Sequence, residues 1–520
     1  MADNDTMSKL ISLCKRRGFV FQSSEIYGGL KSAYDYGPLG AELKRNIMGE
    51  WWKSMVHERE DIVGIDASII MKKDVWQASG HLAGFSDPLV DCLVCKERFR
   101  ADKAPSVEIG TDCDIVFADK GRAKVAMESF EKQGITGLSR SKKTISGAKA
   151  ERNYVCPNCG SPFLSAEKNF NLMFKTSIGP VDNKNDMVEM FLNNKDCSKE
   201  ELLQKIYDIE NKSAVYLRPE TAQAMFVQFN NVMQSMSMKL PFGIAQQGKS
   251  FRNEITVEHF IFRSCEFEQM EMEFFCYPEQ SAEMLDYWKD QRLNWYIERL
   301  GVKQENLRLR KHDEDELAHY SDNCYDVEYL YPWGWDELEG IASRTDYDLK
   351  KHEKHSGQKL RYFDPERENP ETGKKGVHLT PYVIEPAAGA TRATLMVLLD
   401  AFDEEEGVDG KEGRTVLRFA PRIAPIKVAI LPLVKKDGMP EKAREIVKQF
   451  VAKGINCKYD EQHAIGRRYR RHDEIGTPFC LTVDTQTMED NTVTIRYRDD
   501  MRQERIAIDK VVKVIEDKLV

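Results

Sequence analysis

Residues 251–275 read FRNEITVEHFIFRSCEFEQMEMEFF. Two runs rich in aromatic and apolar residues flank a polar segment, which predicts a strand, a short loop and a second strand. Residues two apart on a strand share one face. Arg252 and Glu254 are therefore expected to point the same way, and so are Phe267, Gln269, Glu271 and Glu273 in the second strand. One sheet surface would then carry a cation, an acceptor for a purine edge, an aromatic stacking platform and carboxylates. Such a surface suits a nucleoside triphosphate held beside an amino acid. A hairpin with a polar solvent face accounts for any one of these residues, but poorly for Arg252, Glu254, Arg263, Phe267 and Glu271 together.

The chain has 520 residues, more than a single core usually serves, which points to two or three domains. Hydrophobic residues make up 41%, as expected of a well-packed globular protein. No run of about 18 apolar residues occurs, and the opening MADNDTMSKL lacks the hydrophobic centre of a secretory signal. A cytoplasmic protein is the expectation. The net charge of −9 is unevenly spread: residues 421–520 hold 20 Lys and Arg against 16 Asp and Glu, a surplus of +4, so the remainder carries −13. Bulk acidity does not exclude RNA, because local basic surface supplies phosphate contacts.

Twelve cysteines without an export signal argue against a disulfide framework. Four form two CxxC pairs, Cys92/Cys95 in DCLVCKERFR and Cys156/Cys159 in YVCPNCGSPF, the knuckle spacing of tetrahedral zinc. The 60 residues between the pairs exceed ribbon spacing. A zinc ion here would close a long insertion rather than a compact finger; reduced, buried thiols are the other reading.

Moving outward, residues 8–17 and 40–59 read as helices, the first stopped by Gly18 and the second bearing Trp51 and Trp52, followed by a strand in GIDASIIM. Residues 90–165 turn irregular, charged and glycine-containing, and 181–213 form a second polar insertion. The pattern resumes with YLRPE, a helix from Thr221 to about Lys239, the strands already described, and a helix in SAEMLDYWKDQRLNWYIERLGV ending at Gly301. Its tryptophans fit a core better than a ligand site. CYDVEYLY and GWDELEGIAS read as strands, and KHEKHSGQKLRYFDPERENPETGKKG as a charged loop or lid in which His352 and His355 are solvated rather than metal-bound. ATLMVLLDAF predicts an apolar helix, and DEEEGVDGKEG an excursion. From Ala424, strands and helices alternate as in a small α/β domain. There, Arg467, Arg468, Arg470 and Arg471 around Tyr469 mix phosphate-binding charge with a stacking ring, or else form a solvated helix face.

FRNE followed by EFEQMEMEFF resembles motif 2 of the class II aminoacyl-tRNA synthetases in the variant found in glycyl-tRNA synthetases. YDYGPLGAELKRNI, YLRPETAQAMF, WDELEGIASRTDYDL and VIEPAAGATR agree, and the resemblance spans nearly the whole chain. It implies an α+β fold: an antiparallel catalytic sheet flanked by helices, an inserted zinc-knuckle-like region and a C-terminal α/β anticodon-binding domain. The corresponding divisions are 1–89 with motif 1, 90–165 with the CxxC pairs, 166–423 with motifs 2 and 3, and 424–520. The implied activity is ATP-dependent activation of glycine to glycyl-adenylate and its transfer to the 3′-terminal adenosine of tRNA(Gly), by a homodimer built through motif 1.

By the same resemblance Arg252 would hold the α-phosphate and stabilise the transition state, Glu254 would accept from the adenine amino group, Phe267 would stack on the ring and Arg263 would reach the triphosphate. Arg392 matches the motif 3 arginine at the γ-phosphate, where a helix N-terminus also favours anions. Glu337 matches the position handling ATP and its Mg²⁺, with pairing to Arg344 as the structural alternative. Asn253, Phe262, Leu338 and Gly389 fall among the ATP contacts. For glycine the matching residues are Arg100, Glu220, Phe267, Glu271 and Glu385. Carboxylates crowding the α-carbon would exclude alanine by clash and desolvation, whereas apolar discrimination of one methyl yields only about 10- to 200-fold. The chain departs from many members in carrying Ala387 where they have serine. A synthetase-like binding protein and a synthetase for another small amino acid are the competing readings. The intact ATP set argues against the first, and the carboxylates Glu220, Glu271 and Glu385 against the second.

Overall fold

The structure is a computed structural model. It describes all residues except 1, 31, 179–182, 195–196, 213, 256–258, 315, 319–320, 370–371, 408–412 and 520. The chain divides into two compact units: Met1–Met71 with Glu220–Phe251 and Val257–Val520, and Lys72–Pro219 with Arg252–Thr256.

The first unit is organised on a seven-stranded sheet. Its strands are β1 (Ile62–Ile65), β2 (Phe242–Phe251), β3 (Glu266–Cys276), β4 (Leu307–Lys311), β5 (Asn323–Tyr331), β6 (Gly334–Thr345) and β7 (Tyr382–Gly389). Their order is β4-β5-β6-β7-β3-β2-β1. Every pairing is antiparallel except β1 with β2. β3 lies between β2 and β7, and residues 269–276 are buried on both faces, so its alternation separates two interiors rather than core from solvent. Gly64 of β1 lies flat against Trp52, whose ring would stand 2.2 Å from an added Cβ.

One face of the sheet is covered by helices α1 (Pro38–Trp52), α2 (Ser281–Glu298) and α4 (Ala390–Ala401), with α3 (Tyr347–Ser356) elsewhere in the unit. Trp51, Trp288, Met270, Met272, Val327, Ile341 and Leu395 share this core. Trp288 and Trp295 are structural, as their helical spacing predicts. Within the same core Arg292 donates to Glu339 at 2.6 Å, both essentially inaccessible.

Several local expectations are corrected. β2 ends at Phe251, so Arg252 and Glu254 are not on a strand; Glu254 N–H donates to Arg252 O at 2.7 Å in a tight turn. Residues 221–239 form two short helices, Ala222–Val227 and Phe229–Ser235, divided at Gln228. GIDASIIM contributes to two short strands, β1 and Ile70–Lys72. The charged stretch 351–376 is no open loop: its start completes α3, stopped by left-handed Gly357 at φ +73°, and Tyr362–Glu368 pairs with Lys375–Leu379 as a hairpin. His352 is consequently buried, and its Nε2 meets Gln223 Oε1 at 2.8 Å.

The C-terminal region carries a five-stranded sheet. β8 (Val428–Pro432) is flanked in parallel by β9 (Cys457–Tyr459) and β10 (Phe479–Val483), and β11 (Thr492–Tyr497) and β12 (Gln503–Ala507) add antiparallel. Helices α5 (Met439–Ala452) and α7 (Ile508–Glu516) bury Ile446, Phe450, Val511 and Ile515 against one face, and α6 (Ile465–Glu474) covers the other through Ile465 and Tyr469.

In the second unit, strand Ser86–Asp91 lies between Lys168–Asn171 and Arg98–Arg100, and Asp112–Val116 pairs with Thr144–Lys149. The apparently irregular CxxC region thus has its own core, including Ile115, Phe130, Ile145, Cys92, Cys156 and Cys159.

Candidate active site

The hydrogen-bond registers of β2, β3, β7, β6 and β5 set Gln246, Glu271, Ala387, Gly340 and Asp326 side by side. Residues opposite one another in such a row share a face. Glu271 is 2% exposed, and its carboxylate accepts from the Thr221 N–H at 2.9 Å, from the Thr221 hydroxyl and from Gln269. Gln246 braces this arrangement by donating to Thr221 O at 3.0 Å and accepting from Ala67 N–H at 2.8 Å.

A second chain of bonds links the remaining acidic residues. Gln223 donates to Glu220 at 2.9 Å and to Asp348 at 3.0 Å; Arg344 forks onto Asp348 at 2.8 and 3.0 Å and onto Glu385 at 2.8 and 2.9 Å. Glu220, half-buried, and buried Glu385 therefore belong to one network. Burial pushes the Glu385 carboxyl up, although Arg344 opposes it. The Arg344 fork thus joins Asp348 to Glu385.

Glu337 sits where β5 and β6 slip register, and its carboxylate is 3.1 Å from Arg392 Nη1. Arg392 occupies the first turn of α4 and lies over the Phe262 ring at 4.5 Å. Phe262 in turn meets Tyr331 and Trp333 edge-on. A cation at a helix N-terminus is disfavoured by the helix dipole, so this guanidinium is maintained against local preference by Glu337 and the aromatic cluster. Two backbone contacts, to Phe262 O at 3.4 Å and Glu337 O at 3.2 Å, fix it further. Gly389 caps the same helix. Leu338 is 1% exposed and packs in the core. Arg263 and Phe267 are half-buried, the latter opposite Ser250.

In the second unit, Arg252 donates to Pro219 O at 3.0 Å and lies over Phe85 at 5.5 Å, while Asn253 N–H donates to Leu172 O at 2.9 Å. Arg100 forks onto Asp102 at 3.1 and 2.7 Å and pairs with buried Asp87 at 3.0 Å. These carboxylates and Glu254 hold its charge.

Cys92, Cys95, Cys156 and Cys159 also lie in this unit, all four free thiols with sulfurs within 4.8 Å of one another. Cys92 Sγ is 3.7 Å from Cys159 Sγ, and Cys95 Sγ is 3.6 Å from Cys156 Sγ. Four sulfurs placed tetrahedrally at about 2.3 Å from zinc stand about 3.8 Å apart. The cluster fits that ion.

The whole length of the chain is similar to glycine–tRNA ligases. It is 47% identical to that of Treponema denticola over 96% of this chain and 94% of the relative, and 47% identical to that of Clostridium perfringens over 100% of both. The chain belongs to the glycine–tRNA ligase family. The anticodon-binding domain family matches residues 427–518 of this chain. A prolyl-tRNA synthetase of Cryptosporidium parvum shares the fold, with a TM-score of 0.56 at 11% identity, covering 98% of this chain and 74% of that one. The fold expected for the family, a large antiparallel sheet with an anticodon-binding domain at the C-terminus, is the one observed.

Set against that family, the sequence reading missed the residues that hold the acidic site in place. Thr221, Gln223, Gln246 and Asp348 are buried and bonded, yet read as ordinary polar positions, while Gln269 was placed only on the face of Glu271 and Arg344 only as a partner for Glu337. Placement beside Glu220 signalled Thr221 and Gln223, and WDELEGIASRTDYDL contained Asp348; Gln246 had no such neighbour. In α6, Arg468 is 2% exposed and donates to Pro432 O at 2.6 Å, Asp460 O at 3.2 Å and Leu433 O at 3.1 Å. Tyr469 lies under Arg496 and bonds Thr482 at 2.6 Å, and Arg471 pairs with Asp460 at 3.3 Å. Arg468 and Tyr469 are structural, contrary to the nucleic-acid reading; Arg467 is exposed.

Proposed function

We infer that this chain activates glycine with ATP and transfers it to the 3′-terminal adenosine of tRNA(Gly). The observation carrying this is the acidic cluster in which Glu271 stands by register beside Ala387 and Glu220 and Glu385 are joined through Gln223, Asp348 and Arg344, in the unit that also carries the Arg392–Glu337 pair. Carboxylates suit an ammonium, and their crowding leaves little room beside an α-carbon.

The reaction needs no protein nucleophile. The glycine carboxylate attacks the α-phosphorus of ATP and pyrophosphate leaves, so positioning and charge stabilisation carry the step. Arg252 would neutralise the α-phosphate, Arg263 and Arg392 the outer phosphates, and Glu254 and Phe267 would bind adenine, with Asn253, Phe262 and Gly389 around the nucleotide. Glu337 would engage the Mg²⁺ that accompanies ATP as substrate, since such ions take one or two carboxylates plus phosphates. Arg100 would help to orient glycine. The tetrathiolate cluster would hold a structural zinc, and Arg467, Arg470 and Arg471 would face tRNA. We assign the working form to a cytoplasmic homodimer.

Amino-acid-dependent ATP–pyrophosphate exchange tests this. Exchange is expected with glycine and not with alanine or serine. Arg252→Ala should cost about 3 kcal/mol or more of transition-state stabilisation, roughly a hundredfold in rate. A folded protein with no exchange for any amino acid would move the assignment to a non-catalytic binding protein.

A further inference from the structure

Glu273 stands two residues beyond Glu271 on the same face of β3, about 7 Å along the strand, and has no part in the network described above. Its carboxyl is completely buried, and neither oxygen has a hydrogen-bond partner among the described residues. Three carboxyl groups face it, Glu385 from β7, Glu271 from its own strand and Asp348 from α3, against one cation, Arg344 from β6. That guanidinium is already forked onto Asp348 and Glu385. A charged carboxylate without hydrogen bonds, among three like charges, is the costliest occupant of such a place.

We propose that Glu273 is a recognition residue of the amino-acid site: neutral and protonated in the free protein, it loses its proton to solvent when the glycine ammonium arrives at Glu271. The inference rests on the glycine-activating reading above. The O–H bond of the acid breaks, its electron pair stays on the carboxylate, and the arriving ammonium supplies the positive charge that the buried cluster lacks. Burial first, and the Glu385 charge second, drive the Glu273 carboxyl well above its ordinary range, in keeping with this. Ammonium binding is then coupled to proton release, and affinity rises with pH by up to about tenfold per unit.

Calorimetry on the intact chain, at pH 6.5 in buffers of differing ionisation enthalpy, tests the coupling. The probes are the glycyl-sulfamoyl analogue of the adenylate, whose α-amine is largely charged at this pH, and its glycolyl counterpart, which has a hydroxyl instead. The glycyl probe should show a buffer-dependent enthalpy corresponding to a net release approaching one proton, and the glycolyl probe none. Glu273→Gln, an isostere of the neutral acid, should bind the glycyl probe with that release abolished; its melting temperature and circular dichroism establish that it folds. A wild-type enthalpy independent of buffer, equal release by both probes, or full release in Glu273→Gln each overturns the proposal. No binding of either probe, together with no glycine-dependent exchange, overturns the glycine-activating reading itself.

Discussion

Glu271 shows how a residue's chemistry is set by its supports. Three donors converge on its carboxylate, from Thr221 and Gln269, and fix its orientation. Glu271→Gln is expected to raise KM for glycine far more than KM for ATP in the exchange assay; equal losses would detach Glu271 from the amino acid. Alternation along 266–276 made this residue legible in the sequence, because β3 is a regular strand. It misled for Arg252 and Glu254, which lie past the last ladder residue, where backbone turns rather than pleating set direction. Arg344 could not be resolved from sequence either: its partners are four residues on and 41 residues on, and only the fold selects them.

At the scale of elements, α2 and β6 are joined across the core by Arg292 and Glu339, 1% and 0% exposed. Removing one partner strands a buried charge, so Arg292→Met should lower unfolding free energy by about 3–5 kcal/mol, measured by denaturant titration with exchange activity followed in parallel. The helical spacing of 281–300 predicted α2 correctly, but a buried arginine on its apolar side had no sequence signal. The CxxC pairs were the opposite case, legible from spacing alone although about 60 residues intervene. Their metal is expected as about one zinc per chain by elemental analysis. Cys156→Ser, or chelation, should expose residues 90–165 to limited proteolysis while β2, β3 and α4 remain resistant. Loss of zinc without new cleavage would leave the cluster no structural role.

At the scale of the whole chain, acid should act through the C-terminal region. Burial alone would push Asp460 up, but the His472 side chain, the Gln462 N–H and Arg471 outweigh it and draw the carboxyl down to about 2. A folded-state value below the unfolded one near 3.9 means a contribution present above that value and lost as pH falls towards 2. His472, fully buried, is itself held below its ordinary range mainly by desolvation, so its protonation adds to the loss on acidification. Stability of the wild type should therefore fall steeply between about pH 4 and 2, and Asp460→Asn should flatten that fall while lowering stability at pH 7.

The parallel pairing of β1 with β2 also has a consequence for biosynthesis. Val63 meets Ile244, about 180 residues later in the chain. At ribosomal speeds of about 5–20 residues per second, β1 waits roughly ten seconds or more for its one neighbour among the described strands, and Lys72–Pro219 of the CxxC-bearing unit emerge in the interval. That segment, with its own core and thiol cluster, can pack first, while the hydrophobic Ile62 edge remains a client for chaperones until β2 is made.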